Sequence, residues 1–273
     1  MGRPFLKMNG LGNDFVVVET RSQPFTPTAE EVRAIADRAT GVGCDQLIAI
    51  DPVEGADAFV RFWNADGEEV SACGNGTRCV GWLLMQSSGK DRIEIETNAG
   101  RLAATRAGER LVSVDMGPPR LDWREIPLAE EHDTRALDVP LYHHAALMAP
   151  AGCVSMGNPH VVFFVPDVEQ APVTEAGPAV ETHPLFPEHV NVGFAQVKGR
   201  DRIRLRVWER GAGLTKACGT GACAALVAAS RRDLVGRYAT LELDGGELFI
   251  EWREDGHVVM TGPAAVDGTG ELP

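Results

Sequence analysis

The chain has 273 residues, of which 44% are hydrophobic and 24% charged, and it carries a formal net charge of −13 at pH 7. This is the balance of a soluble globular protein with enough chain for one large or two medium cores. The acidic charge argues against nucleic acid or an anionic membrane surface as a partner, and no apolar run approaches the ~20 residues that span a membrane.

Taken in order, Lys7 to Glu19 reads as a turn followed by a buried strand. Thr28 to Ala39 reads as an amphipathic helix with Glu30 and Glu31 in its first turn and Val32, Ile35, Ala36 and Ala39 on one face. Gln46–Ile50 and Ala58–Trp63 read as strands, closed by the turn Asn64-Ala65-Asp66-Gly67. Thr77 to about Gln86 is apolar nearly all round, so it reads as a helix buried on most sides. Ile93–Thr97, Arg101–Arg106 and Arg110–Met116 follow as strands. Further on, Val161–Val165 reads as a strand, Gln196–Trp208 contains strands, and Thr220 to Ser230 is a second buried helix. Thr240–Leu243, Glu247–Trp252 and His257–Met260 close the series, and the pattern of the tail 264–273 assigns it no place.

The chain repeats itself at an offset of 145. Val60-Arg61-Phe62-Trp63 lies over Leu205-Arg206-Val207-Trp208, Ala72-Cys73-Gly74 over Ala217-Cys218-Gly219, Gly100 over Gly245, and Gly117-Pro118 over Gly262-Pro263. No gap is needed, and the two copies run over about 5–119 and 150–264 with 120–149 connecting them. The expected architecture is α+β: two pseudo-symmetric domains, each a curled, mostly antiparallel sheet or barrel around a central apolar helix.

Packed face to face, two such copies would bring equivalent polar positions to a shared cleft. The pairs are Asn13 with Asn158, Gln46 with Asn191, Asn64 with Glu209, Cys73 with Cys218, and Asn75 with Thr220. Amides hold ammonium and carboxylate groups without adding charge, and Arg210 offers a fork for a carboxylate. Each cysteine stands at a glycine turn opening a helix, where N–H groups and the helix dipole favour an anion and lower a thiol pKa. Two thiols on opposite faces of a small molecule suit proton exchange at one carbon: a thiolate removes a proton, a thiol returns one, and configuration inverts. The four lysines, at 7, 90, 198 and 216, include none in a recognisable pyridoxal-phosphate context, so no cofactor is expected. No metal is expected either: all six cysteines, at 44, 73, 79, 153, 218 and 223, lack C-x-x-C spacing. Among them Cys79 and Cys223 read as core, and Cys44 and Cys153 as packing residues. Arg78 reads as a helix-surface or domain-contact residue. Free thiols in this number suit a reducing, cytoplasmic setting.

The motifs Met8-Asn9-Gly10-Leu11-Gly12-Asn13-Asp14-Phe15, Phe62-Trp63-Asn64-Ala65-Asp66-Gly67, Cys73-Gly74-Asn75-Gly76-Thr77-Arg78-Cys79, Met156-Gly157-Asn158-Pro159-His160, Glu209-Arg210-Gly211-Ala212-Gly213 and Ala217-Cys218-Gly219-Thr220-Gly221-Ala222 resemble those of the diaminopimelate epimerases. The resemblance runs through nearly the whole chain. It implies an isomerase that converts LL- to meso-diaminopimelate without a cofactor, on the route to lysine and peptidoglycan. It also implies a homodimer and a domain division at 1–117 and 118–262, with the tail 263–273 completing the first domain. Carried over by position, the catalytic pair falls on Cys73 and Cys218. Substrate-binding positions fall on Asn13, Gln46, Asn64, Gly74, Asn75, Asn158, Asn191, Glu209, Arg210, Gly219 and Thr220. His160 and Glu209 fall where groups that tune the thiols are expected. The departures are small: Asn9 stands where His is common, and Cys44 where an aromatic is frequent.

Two other readings compete. A proline- or hydroxyproline-type racemase, or a phenazine-type isomerase, would share the fold but not the full set of amides and both cysteines. A thiol redox sensor would use the same cysteines without the amide ring.

Overall fold

Seventeen strands and four helices make up the described residues, 2–140 and 150–272, of a computed structural model. They divide into two units: residues up to Asp115 joined by those from Thr261 onward, and Met116–Met260. The part of the connection at 141–149 lies outside the described residues.

In the first unit, β1 (Arg3–Gly10) and β2 (Asn13–Glu19) form an antiparallel pair across the turn Leu11-Gly12, where both residues have positive φ. β2 then runs parallel to β3 (Gln46–Asp51), which pairs antiparallel with β4 (Ala58–Asn64). Parallel strands are covered on both faces, and Phe15–Val18 and Leu47–Ile50 are accordingly buried without alternation. β5 (Glu69–Val70) and β6 (Arg92–Thr97) both lie against β4, and β7 (Gly100–Arg106) and β8 (Leu111–Asp115) continue the sheet. Helix α1 (Ala29–Ala36) opens on a capping box between Thr28 and Glu31. It ends at Ala36, three residues short of the expected Ala39, because the Asp37 carboxylate takes the N–H groups of Ala39 and Thr40 and turns the chain. Ala39 is therefore exposed and not part of the buried face. Helix α2 (Gly74–Ser88) packs against β1, β2, β6, β7 and β8, so the sheet curls around it.

The second unit repeats this plan. β9 (Gly152–Ser155) pairs with β10 (Pro159–Phe164), which runs parallel to β11 (Asn191–Gly199). β11 is antiparallel to β12 (Arg202–Glu209), and β13 (Gly213–Thr215) and β14 (Tyr238–Leu243) both flank β12. β15 (Gly246–Trp252) hydrogen-bonds to β14, and β16 (Val258–Pro263) leads the chain back to the first unit. Helix α3 (Val173–Glu181) covers β11, β12 and β13, and helix α4 (Gly219–Ser230) packs against β9, β10, β11, β12, β14 and β15. Two parts of the connection also enter this core: Ile126 and Leu128 are buried in it, as are Leu137 and Val139.

The strand registers match across the repeat. Phe15 opposes Gln46 as His160 opposes Asn191, and Trp63 opposes Glu69 as Trp208 opposes Leu214. The match breaks at the next hairpins, against the gap-free expectation. Thr97 pairs with Gly100 as Leu243 pairs with Gly246, and it is Gly246, not Gly245, that shares the high positive φ of Gly100. One residue has been inserted between the central helices and these hairpins. Six elements escaped the sequence reading: β1, β5, β9, β13, α3 and the final strand β17 (Ala265–Leu272), which pairs with β1 along its length, Arg3 opposite Leu272.

Candidate functional site

Both catalytic candidates are helix N-caps, and their helices start earlier than the apolar periodicity implied, at Gly74 and Gly219. Cys73 has φ −143° and ψ 114°, Cys218 φ −114° and ψ 107°. Each sulfur accepts the N–H three residues on, from Gly76 and from Gly221, at 3.4 Å in both cases. This is the position of a Ser or Asp cap, filled by sulfur. Glycine is required at the donor: a Cβ on Gly76 would meet Phe62 at 2.8 Å and Ile48 at 2.9 Å, and one on Gly221 would meet Val207 and the Cys218 sulfur at 3.1 Å.

Around Cys73, the thiol donates to Asn13 Oδ1 at 3.9 Å, and Asn75 Nδ2 donates to the same oxygen at 3.5 Å. Asn13 Nδ2 donates to Asp45 at 2.9 Å. Arg78 Nη1 donates to Asn75 Oδ1 at 2.9 Å. Arg78 is completely buried, not on the helix surface as its place in the sequence suggested: its guanidinium also reaches Pro263 O and lies over Gly10. Gln46 and Asn64 form a second group, Gln46 Nε2 donating to Asn64 Oδ1 at 2.8 Å. That bond leaves Gln46 Oε1 buried with no protein donor among the described residues.

Around Cys218, His160 Nε2 lies 3.0 Å from Asn158 Oδ1, Asn158 Nδ2 donates to Thr220 Oγ1 at 3.3 Å, and that hydroxyl sits 3.7 Å from the sulfur. His160 reaches the thiol only through this chain. It is fully buried, and burial pushes its pKa down to about 3, so the imidazole is neutral; the facing amide oxygen then puts its proton on Nε2. The Cys218 thiol is pushed well up, first by burial and then by the Glu209 carboxylate, to which it donates. A helix start was expected to lower this pKa, but desolvation and a like charge outweigh the Gly221 N–H and the Thr220 hydroxyl. Glu209 is itself raised by burial, against the hydrogen bonds of Thr215 and Cys218.

Asn191 is buried with both ends engaged, Nδ2 on Pro159 O at 2.9 Å and Oδ1 on Arg210 N at 3.0 Å. It braces the turn that carries Arg210. Arg210 is exposed, with Nη1 on Glu188 O at 2.9 Å. Glu181 was not picked out from the sequence, yet it accepts from Gly211 N at 2.9 Å and Trp208 Nε1 at 2.7 Å and fixes the same turn. Its signal was the repeat itself, since α3 stands where α1 stands in the first copy. Of the other thiols, Cys44, Cys79, Cys153 and Cys223 are all buried, and burial pushes the first three up to about 11, 12 and 12. Among the described residues no group of three or more His, Cys, Asp or Glu could hold a metal.

Each of the two units winds its strands on a helix capped by a thiol. The fold is that of a hydroxyproline epimerase from Agrobacterium vitis, with TM-score 0.71 at 17% identity over 99% of this chain and 90% of that one. It is also that of a phenazine biosynthesis protein of the PhzF family from Enterococcus faecalis, with TM-score 0.72 at 17% identity over the whole of both chains. At such identities the likeness is one of fold. The family model of diaminopimelate epimerase matches residues 5–121 and 152–266. A diaminopimelate epimerase from Phenylobacterium zucineum is 86% identical over the whole chain and 99% of its own length, and one from Caulobacter sp. strain K31 is 62% identical over the whole chain and 98% of its own. The chain belongs to the diaminopimelate epimerase family.

Proposed function

We propose that the protein epimerises LL-diaminopimelate to meso-diaminopimelate at one α-carbon, with Cys73 and Cys218 as the exchanging base and acid. The observation that carries this reading is the matched pair of thiol caps, each with its glycine N–H at 3.4 Å, in a chain of this family. Cys218 starts protonated, as its burial and its bond to Glu209 favour. Cys73 as thiolate takes the α-proton, leaving a carbanion and a Cys73 thiol. Cys218 gives its proton to the opposite face and becomes the thiolate, so charge and protons balance and the reverse reaction exchanges the roles.

The helix N–H groups at Gly74, Asn75, Gly219 and Thr220 would face the substrate carboxylate, where charge develops in the transition state. Asn13, Gln46, Asn64, Asn158, Asn191, Glu209 and Arg210 complete the proposed binding set, and the unpaired Gln46 Oε1 supplies an acceptor for an ammonium. His160 and Glu209 act on the thiols from behind. The reaction needs no cofactor. We further propose that each unit acts as a domain, 1–117 with 263–273 and 118–262, and that the enzyme is a cytoplasmic homodimer.

The test is incubation in D2O with LL-diaminopimelate, meso-diaminopimelate or L-proline, following the α-hydrogen by NMR. Exchange and inversion with diaminopimelate alone are expected, and Cys73→Ala and Cys218→Ala should each abolish inversion while circular dichroism stays unchanged. Exchange with proline, or full activity in either variant, would overturn the reading.

A further inference from the structure

The first copy of the repeat holds a charged cluster that the second lacks. Lys7 and Arg38 pair with Asp14, and Arg38 bridges Asp14 and Asp45 at 2.8 and 2.7 Å. Asp45 Oδ2 in turn accepts Asn13 Nδ2 at 2.9 Å and the N–H of Asp14 at 3.0 Å. At the offset of 145, Lys7, Asp14, Arg38, Asp45 and Arg78 correspond to Gly152, Pro159, His183, Val190 and Cys223. The same strands and the same parallel pairing form in the second unit without any of these charges. The strand plan therefore forms in the second unit without them, and in the first unit they adjoin a thiol.

The hydrogen bonds run in one direction from a cation to an anion. Arg78 can only donate, so Asn75 must turn its carbonyl toward it and its NH2 toward Asn13. Asp45 can only accept, so Asn13 must turn its NH2 toward Asp45 and its carbonyl toward Asn75 and Cys73. The two ends demand the same arrangement, and neither amide can flip without setting like groups against each other. We propose that Asp45 and Arg78 are positioning residues that lock the Asn13 carbonyl, rather than its NH2, onto the Cys73 sulfur. A carbonyl there accepts the S–H that forms when Cys73 removes a proton. It stabilises the thiol over the thiolate and so makes Cys73 the stronger base toward a weak carbon acid.

This inference rests on the reading of Cys73 as the base, and its test separates the two. In the full chain carrying Cys218→Ala, the rate at which iodoacetamide alkylates Cys73 is followed against pH, with the labelled peptide identified by mass. Asp45→Asn keeps the shape but frees the amide direction, so an NH2 can face the sulfur. The expected result is an alkylation midpoint lower by about one pH unit. In the chain retaining Cys218, kcat should fall about tenfold with a smaller change in KM. Asp14→Asn removes one negative charge from the same cluster without touching Asn13, and it should shift the midpoint by less than half as much. Should Asp45→Asn lose its fold, Asp45→Ser carries the same expectation, because a hydroxyl can donate as well as accept. An unchanged midpoint, or an equal shift in Asp14→Asn, would overturn the inference even with Cys73→Ala inactive. Full activity in Cys73→Ala would instead remove the reading beneath it.

Discussion

His160 shows how burial decides the state of a single side chain. It is held neutral in the fold, with a pKa pushed down to about 3, while the unfolded chain has a histidine near 6.5. Between those values the unfolded state binds the extra proton, so stability is full above about pH 6.5 and falls as the pH is lowered toward 3. The loss should reach about 1.4 kcal/mol per pH unit in that window. Urea unfolding at pH 7, 6 and 5 should show it, and His160→Asn, which has nothing to titrate there, should flatten the slope. The identity of such residues was largely legible in the sequence, because position-matched amides and thiols stand out under the repeat. Their environments were not. Arg78 looked like a helix-surface or domain-contact arginine because nothing local records that Pro263 would help enclose it. Cys218 looked like an activated thiol because the carboxylate that opposes activation is Glu209, nine residues earlier and on another element.

Helix α3 is where the local code fails for an element. Gly177 and Pro178 stand in its middle, both poor helix formers, and the sequence reading assigns the segment no element. The glycine answers a tertiary demand: a Cβ there would lie 2.5 Å from Trp208 Cγ. Alanine ordinarily stabilises a helix by about 0.5–1 kcal/mol over glycine. Here overpacking outweighs that gain, and Gly177→Ala should lower stability by about 2 kcal/mol, measured by chemical denaturation. Because α3 carries Glu181, the ligand of the Gly211 N–H, the same variant should also raise KM through the Arg210 turn. The strands and buried helices were readable because their apolar periods are long and unbroken. α2 and α4 were placed too short at their starts because a cysteine cap followed by Gly-x-Gly carries no propensity signal; only the sulfur accepting a glycine N–H reveals it.

At the scale of the whole molecule, the expected duplication is present in strand order and register, and the one-residue insertion before Gly246 shows how little of it has drifted. The tail was illegible because an eight-residue strand of glycines and acids has no pattern of its own; its partner β1 supplies the register. Deleting 265–272 should leave β1 with an open edge on its outer side. The truncated chain is expected to lose protection from amide exchange in β1 and β2 while the strands of the second unit keep theirs, a contrast that mass-resolved hydrogen exchange can read.

The same strand pairing has a consequence for synthesis. Met116–Met260 is continuous along the chain, but the first unit needs residues from both ends, with Arg3 opposite Leu272. A ribosome releases the chain from its N-terminus. The second unit can therefore finish folding while the first still waits, its opening strand unpaired on one side, for Ala265–Leu272 to be translated. A strand made after the second unit thus closes one made before it, and a ribosome stalled between the two would yield a chain with one finished unit and one that chaperones or proteases must handle.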